Sequence, residues 1–245
     1  MTPRLEARRE TLVAKDDAEL ALLAAELMGR AIMEAVGTRG VARVALSGGT
    51  TPGPAYKRLA ELALPWDRVE WYWVDERAVP PDHERSNFRQ AAADLGLDKA
   101  PLSHGRVHRM AGEESDLATA AGDYQGLLRE RFGIAAAVAF DVVTLGIGDD
   151  GHTASLFPGM GTVSVTDRLV LAVPAQPEKG LEARLTLSAP VICESRLAVV
   201  LAKGPKKRDV IVKAQSPGPE DEVPSRLFRR IKGDLVWVVD KAAAP

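Results

Sequence analysis

Apolar positions along the chain alternate between two spacings: the three-to-four-residue stripe of a helix buried on one side, and the short continuous run of a strand buried on both. With Asp16 or Asp17 as a cap, Leu20, Leu23, Ala24, Leu27 and Ala31 fall on one helical face, and Gly37 predicts the helix end. Residues 41–46 then form an apolar run in which Arg43 is the only charge, which predicts a buried strand. Runs of the same kind recur at 69–74, 140–147, 196–202 and 235–239. Between them, Ser115 predicts the cap of a helix with the stripe Leu117, Ala120, Ala121, Tyr124, Leu128 and Arg131, stopped by Gly133. Residues 174–182 and 215–224 collect Pro, Gly and charge and read as exposed loops. Apolar strands alternating with helices predict an α/β fold: a mostly parallel open sheet with helices on both faces, Rossmann-like.

Composition narrows the class. A chain of 245 residues suits one large α/β domain over residues 1–245, and 46% hydrophobic with 27% charged residues fits a folded soluble protein. A net charge of −2 without a long basic run leaves no electrostatic footprint for nucleic acid or an anionic membrane. An anionic ligand therefore needs a local cluster of cations. No stretch reaches the ~18 apolar residues of a membrane span, and the N-terminus lacks the apolar centre of a signal peptide, so a cytoplasmic protein is expected. The single Cys193 permits no internal disulfide and reads as a small buried hydrophobe. No apolar stripe calls for a partner, and a monomer is expected.

Three segments carry candidate chemistry, and each follows a predicted strand. The first is Ser47-Gly48-Gly49-Thr50-Thr51-Pro52-Gly53, where a strand gives way to a helix. Glycines let the backbone approach an anion, and the helix N-terminus adds its positive dipole end, so a phosphate is the natural guest. The segment lacks the lysine of a nucleotide-binding P-loop and the spacing of a dinucleotide fingerprint. The second is Asp75-Glu76-Arg77 at the carboxyl edge of the sheet, where open α/β sheets keep their ligand crevice. In extended backbone Asp75 and Arg77 point to one side and Glu76 to the other. The third is Gly148-Asp149-Asp150-Gly151-His152, a glycine turn that puts an imidazole beside two carboxylates. His152 is the candidate general base for activating water, with a neighbouring carboxylate to orient it.

Other residues are weaker candidates. Arg184, and Lys203, Lys206 and Lys207, follow or interrupt apolar runs and are candidate phosphate ligands. His83 lies in the loop after Arg77, within reach of the site, but a solvated polar side chain is explanation enough. His104 and His108 have a spacing that suits a metal on a helix, but Pro101 and Gly105 argue against a helix there, and no metal site or cofactor is expected.

Taken in order, these segments resemble the 6-phosphogluconolactonase family, the form related to glucosamine-6-phosphate deaminases and isomerases. The residues that carry the resemblance are Ser-Gly-Gly-Thr-Thr-Pro at 47–52, Asp75-Glu76-Arg77 with Val79-Pro80, Ser86-Asn87, residues 148–158 from Gly148 to Pro158, Arg184 before Thr186, and Gly204 to Lys207. Arg77 and the sequence Thr153-Ala154-Ser155-Leu156-Phe157-Pro158 match the lactonase. Deaminases typically have an aromatic residue after Asp-Glu and continue Asp-Gly-His differently. The resemblance implies the deaminase-like architecture, hydrolysis of 6-phosphogluconolactone in the oxidative pentose phosphate pathway, and a sugar phosphate as the only partner. It implies His152 as catalytic base, with Asp75 or Asp150 fixing its tautomer. It further implies that Ser47, Gly48, Gly49, Thr50, Arg77, Gly151, Arg184 and Lys207 surround the substrate. Two alternatives remain open: an isomerase or deaminase, which ammonia release from glucosamine 6-phosphate would reveal, and a silent sugar-phosphate binding protein, which would leave spontaneous lactone hydrolysis unchanged.

Overall fold

The computed structural model describes residues 6–99, 106–133 and 137–245. Its elements run β1 (Arg9–Ala14), α1 (Asp17–Arg39), β2 (Ala42–Leu46), α2 (Gly53–Ala60), β3 (Val69–Trp73), β4 (Asp75–Arg77), α3 (Asn87–Leu95) and β5 (Val107–His108). They continue with α4 (Leu117–Phe132), β6 (Val142–Leu145), β7 (Val170–Val173), β8 (Arg184–Leu187), α5 (Ala189–Cys193), β9 (Leu197–Ala202), α6 (Lys206–Gln215) and β10 (Asp234–Asp240). Among the described residues seven strands form a wholly parallel sheet in the order β1-β10-β9-β6-β2-β3-β5.

Strand alternation divides the sheet's side chains between two cores. Ala42, Val44 and Leu46 of β2 and Val69, Trp71 and Trp73 of β3 pack under α1, α2 and α3. Ala45, Tyr72, Val143, Leu145, Val200 and Trp237 face the other way, against α4, α5 and α6. Leu46, Leu59 and Leu128 are completely buried, and each stabilises the fold by ~1.5–3 kcal/mol. This is the predicted α/β sheet covered on both faces. Among the described residues no helix is long and apolar enough to cross a membrane.

Several boundaries differ from the expectation. Helix α1 runs through Gly37 to Arg39 and stops at Gly40, whose φ of 77° is the left-handed cap conformation. Its start follows the pattern, with Asp16 accepting from the Glu19 N–H at 2.8 Å. Helix α4 is capped by Asp116 rather than Ser115, because the Asp116 carboxylate accepts from both the Ala118 N–H and the Thr119 hydroxyl. Strand β1 has no counterpart among the predicted strands. It is an edge strand whose outer side is exposed, so its pattern is half polar. A second, antiparallel sheet, β4-β8-β7, is likewise additional, built from strands of three or four residues. Residues 174–182 are not wholly loop, since Gln176 and Leu181 form an antiparallel bridge.

Strands β2 and β6 are neighbours from which the chain winds in opposite directions, β2 toward β3 and β5, β6 toward β9, β10 and β1. Side connections leave a crevice at such a switch point, outside the carboxyl ends of the two strands. The two glycine turns found in the sequence are the segments that leave those two ends.

Candidate active site

The turn after β2 is held from beneath. The Ser47 N–H donates to the Thr144 hydroxyl at 2.8 Å and to the Tyr56 hydroxyl at 3.1 Å, and Tyr56 returns a hydrogen bond to the Ser47 carbonyl at 2.8 Å. Burial pushes the Tyr56 phenol up to about 12, so it remains a neutral donor at physiological pH. Gly48 has no room for a side chain, since a Cβ there would stand 1.7 Å from Asn87 Oδ1. Gly49 has a φ of 104°, which L side chains rarely adopt.

Strand β4 divides its three side chains as the extended backbone requires. Asp75 and Arg77 face the crevice, while Glu76 points away and accepts from the N–H groups of Arg77, Asn87 and Phe88 and from the Ser86 hydroxyl. A carboxylate on the first amides of α3 both caps that helix and meets its dipole. Burial pushes the Glu76 pKa up, and these four hydrogen bonds pull against it. Asp75 accepts from the Ser155 hydroxyl at 2.6 Å and from Asn87 Nδ2 at 3.2 Å. The antiparallel register sets Arg77 directly opposite Arg184, so two guanidinium groups share the crevice. Like charges opposite one another destabilise a strand pair, and an anionic guest relieves that repulsion. Burial pushes Arg184 below the ordinary arginine value, with Asp75 opposing the shift and Arg77 adding to it.

The turn after β6 holds itself. The Gly148 N–H donates to the His152 carbonyl at 2.8 Å, the Gly151 N–H to the Gly148 carbonyl at 3.0 Å, and the Thr153 hydroxyl to the Gly146 carbonyl at 2.9 Å. His152 Nδ1 lies 2.5 Å from Asp150 Oδ1, which also accepts the His152 N–H at 3.0 Å. Burial alone would push Asp150 up, but the hydrogen bonds and charge of His152 outweigh it and bring the carboxyl down to about 2. The imidazole rests against Phe157 with centroids 4.7 Å apart, and the Arg184 guanidinium covers the same ring at 5.3 Å. Ala154, the next residue but one, has a φ of 48° and is the one non-glycine with positive φ among the described residues. Backbone strain of that kind, of order 1–3 kcal/mol, concentrates at functional sites.

Together these elements enclose a cleft of about 280 Å³. Of the residues singled out in the sequence, Ser47, Gly48, Gly49, Asp75, Arg77, His152, Arg184 and Lys207 line it. Asp150 stands behind His152, Thr50 is exposed outside the lining, and Gly151 is buried against Val223. Lys207 Nζ donates to the Ile147 carbonyl and to Asp149, which leaves one of its three donors for a guest. Lys203 is paired with Asp17, and Lys206 is exposed and outside the lining. Asn87, Gly146, Ile147, Gly148 and Ala154 complete the lining.

The remaining sequence candidates lie elsewhere. His108 stacks on Tyr72 and is held below its ordinary pKa by burial, and His104 lies outside the described residues. Cys193 is buried, and burial pushes its thiol up to about 11. A second cavity, of about 400 Å³, opens at the amino edge of the sheet, where Arg39 and Arg196 are both paired with the buried Asp141. Among the described residues no group of three His, Cys, Asp or Glu side chains is arranged to hold a metal ion.

Residues 15–237 match the profile of a family described as glucosamine-6-phosphate isomerases/6-phosphogluconolactonase. The chain is 36% identical over 214 residues to the 6-phosphogluconolactonase of Synechocystis sp., covering 86% of this chain and 87% of that protein. The crystal structure of 6-phosphogluconolactonase from Thermotoga maritima superposes with a TM-score of 0.81 at 27% identity, covering 95% of this chain and all of that one. A monomeric glucosamine-6-phosphate deaminase shares the fold with a TM-score of 0.80 at 21% identity, over 96% of this chain and 98% of that one.

Proposed function

The chain belongs to the glucosamine-6-phosphate isomerase/6-phosphogluconolactonase family as a carboxylic ester hydrolase of the lactonase branch, and we propose that it hydrolyses 6-phospho-D-glucono-1,5-lactone with His152 as general base. The observation that carries this reading is one cleft at the sheet's switch point in which the His152–Asp150 pair meets three cations and a glycine turn. Asp150, ionised above a pH of about 2, accepts the Nδ1 proton and leaves Nε2 as the basic nitrogen. Nε2 takes a proton from water as the water oxygen adds to C1, a role worth roughly 10²–10⁴ in rate. The proton then passes to the ring oxygen as the C1–O bond breaks, giving 6-phosphogluconate, an intermediate of the pentose phosphate pathway.

The oxyanion formed at C1 needs donors that the chain has not already used. Gly148 and Gly151 spend their N–H groups inside the turn, whereas Arg77 gives Nη1 to the Arg85 carbonyl and keeps other guanidinium donors, so Arg77 is the better candidate. The phosphate lies on the turn at 47–52 with Arg184 and Lys207, where it converts remote binding energy into placement of the carbonyl. The test is the rate of 6-phosphogluconate formation from fresh lactone, coupled to a dehydrogenase, with chelator present and spontaneous hydrolysis subtracted. Acceleration that survives chelation is expected. A rate equal to the spontaneous one, or ammonia release from glucosamine 6-phosphate, overturns the reading.

A further inference from the structure

The glycine turn after β2 has a second clamp, besides Tyr56 and Thr144. Gln90, in the first turns of α3, donates from Nε2 to the Gly49 carbonyl at 2.7 Å and accepts the Gly49 N–H on Oε1 at 3.1 Å. A side-chain amide that pairs with both backbone groups of one residue fixes the orientation of the peptides on either side of it. Since Gly49 has a φ of 104°, a conformation with many alternatives open to glycine, that fixing matters.

The clamp also decides which amides are left for a guest. The N–H of Ser47 is used by Tyr56 and Thr144 and that of Gly49 by Gln90, whereas those of Gly48, Thr50 and Thr51 donate to no group among the described residues. The same helix reaches the floor of the cleft, because Asn87 Nδ2 donates to the Asp75 carbonyl at 2.9 Å and Glu76 holds the first amides of α3. Helix α3 thus spaces the turn at 47–50 from the Asp75–Arg77 edge. We propose that Gln90 is a positioning residue for the phosphate end of the substrate: it aims the free amides of the turn and touches neither the phosphate nor the reacting carbonyl. This rests on the reading that the turn binds phosphate.

The test compares wild type with Gln90→Met, which keeps the side chain's length and removes both polar atoms, and with Gln90→Glu, which keeps the acceptor and sets a charge against the Gly49 carbonyl. Each is assayed for kcat and KM on 6-phosphogluconolactone and on unphosphorylated gluconolactone. For Gln90→Met, loss of two hydrogen bonds is expected to raise KM for the phosphorylated lactone about tenfold while kcat, and kcat/KM for the unphosphorylated lactone, stay within about twofold. Gln90→Glu is expected to raise that KM further. A merely structural role would instead lower kcat/KM for both lactones by the same factor, and that result, or an unchanged KM in both variants, overturns the proposal. If wild type itself uses both lactones equally well, the phosphate reading falls first and this proposal falls with it.

Discussion

The turns after β2 and β6 begin alike, each a strand that runs into glycines at the same crevice, and they are stabilised in opposite ways. The first borrows its hydrogen bonds from Tyr56, Thr144 and Gln90, side chains of three other elements, and so keeps several of its own amides unspent. The second spends three of its five amides, those of Gly148, Gly151 and His152, on itself, and the side chain it presents to the cleft is that of His152. The continuation of the chain beyond each turn agrees with this division. Helix α2 starts at Gly53 and aims its positive end back at the first turn, whereas the second continues as a strained loop through Ala154. A backbone receptor needs outside support, and a side-chain catalyst needs a turn that is rigid by itself.

If the division is right, damage to the second turn lowers kcat and damage to the first raises KM. The largest effect is expected from His152→Ala, a fall in kcat of about 10²–10⁴ with KM little changed. Steady-state kinetics on a variant with an unaltered melting temperature checks it, and near wild-type kcat would remove His152 from the chemistry. Next is Gly148→Ala. A Cβ there would stand 2.0 Å from His152 Nδ1 and 2.6 Å from Asp150 Oδ1, so the ring must move, and kcat is expected to fall by up to about 10²-fold. A crystal structure of the variant would show the displaced imidazole, and an undisplaced one with full activity would break the comparison.

Asp150→Asn sharpens it from behind the imidazole. With its carboxyl at about 2, Asp150 is charged throughout the working range and accepts at His152 Nδ1, 2.5 Å away. The amide keeps the side chain's size but can pair with the ring in either tautomer, so kcat is expected to fall roughly tenfold with KM little changed, less than on losing the base altogether. An unaltered kcat would mean that Asp150 only shapes the turn.

The legibility of the sequence divides along the same line. Buried parallel strands announce themselves as apolar runs, and the two turns as glycines beyond them, so the five central strands β2, β3, β6, β9 and β10 and both ends of the cleft were readable, while the edge strands β1 and β5 were not. The β4-β8-β7 sheet was not, because strands of three or four residues carry no periodicity, and with it went the register that sets Arg77 opposite Arg184. Between Asp75 and Asp150 as the partner of His152 the sequence offered no choice. Geometry separates them, since Asp75 is engaged with Ser155 and Asn87 while Asp150 holds the imidazole. Tyr56, Thr144 and Gln90 were invisible for a different reason: Tyr56 and Thr144 sit in positions that packing alone explains, and Gln90 on a helix reads as solvated surface. Only a search for polar groups within reach of a glycine turn's own amides finds them.

The smallest effect tests the support beneath the first turn. Tyr56→Phe removes the donor to the Ser47 carbonyl and one acceptor of the Ser47 N–H, but leaves Thr144 at 2.8 Å to accept that N–H. One buried acceptor is left short, a cost of about 1–3 kcal/mol in folding stability. The expected kinetic change is a rise in KM of about threefold with kcat unaltered, since the turn loosens without losing its free amides. The wild-type contribution has a pH signature. A phenol at about 12 in the fold and near 10.0 when unfolded binds its proton more tightly in the native state, so its share of stability is complete below pH 10 and lost as the pH climbs to about 12. Chemical denaturation of wild type and Tyr56→Phe at pH 7 and pH 11 measures this directly. The gap between the two proteins is expected to narrow at the higher pH, and a constant gap would show that the hydroxyl acts through packing and not through its proton.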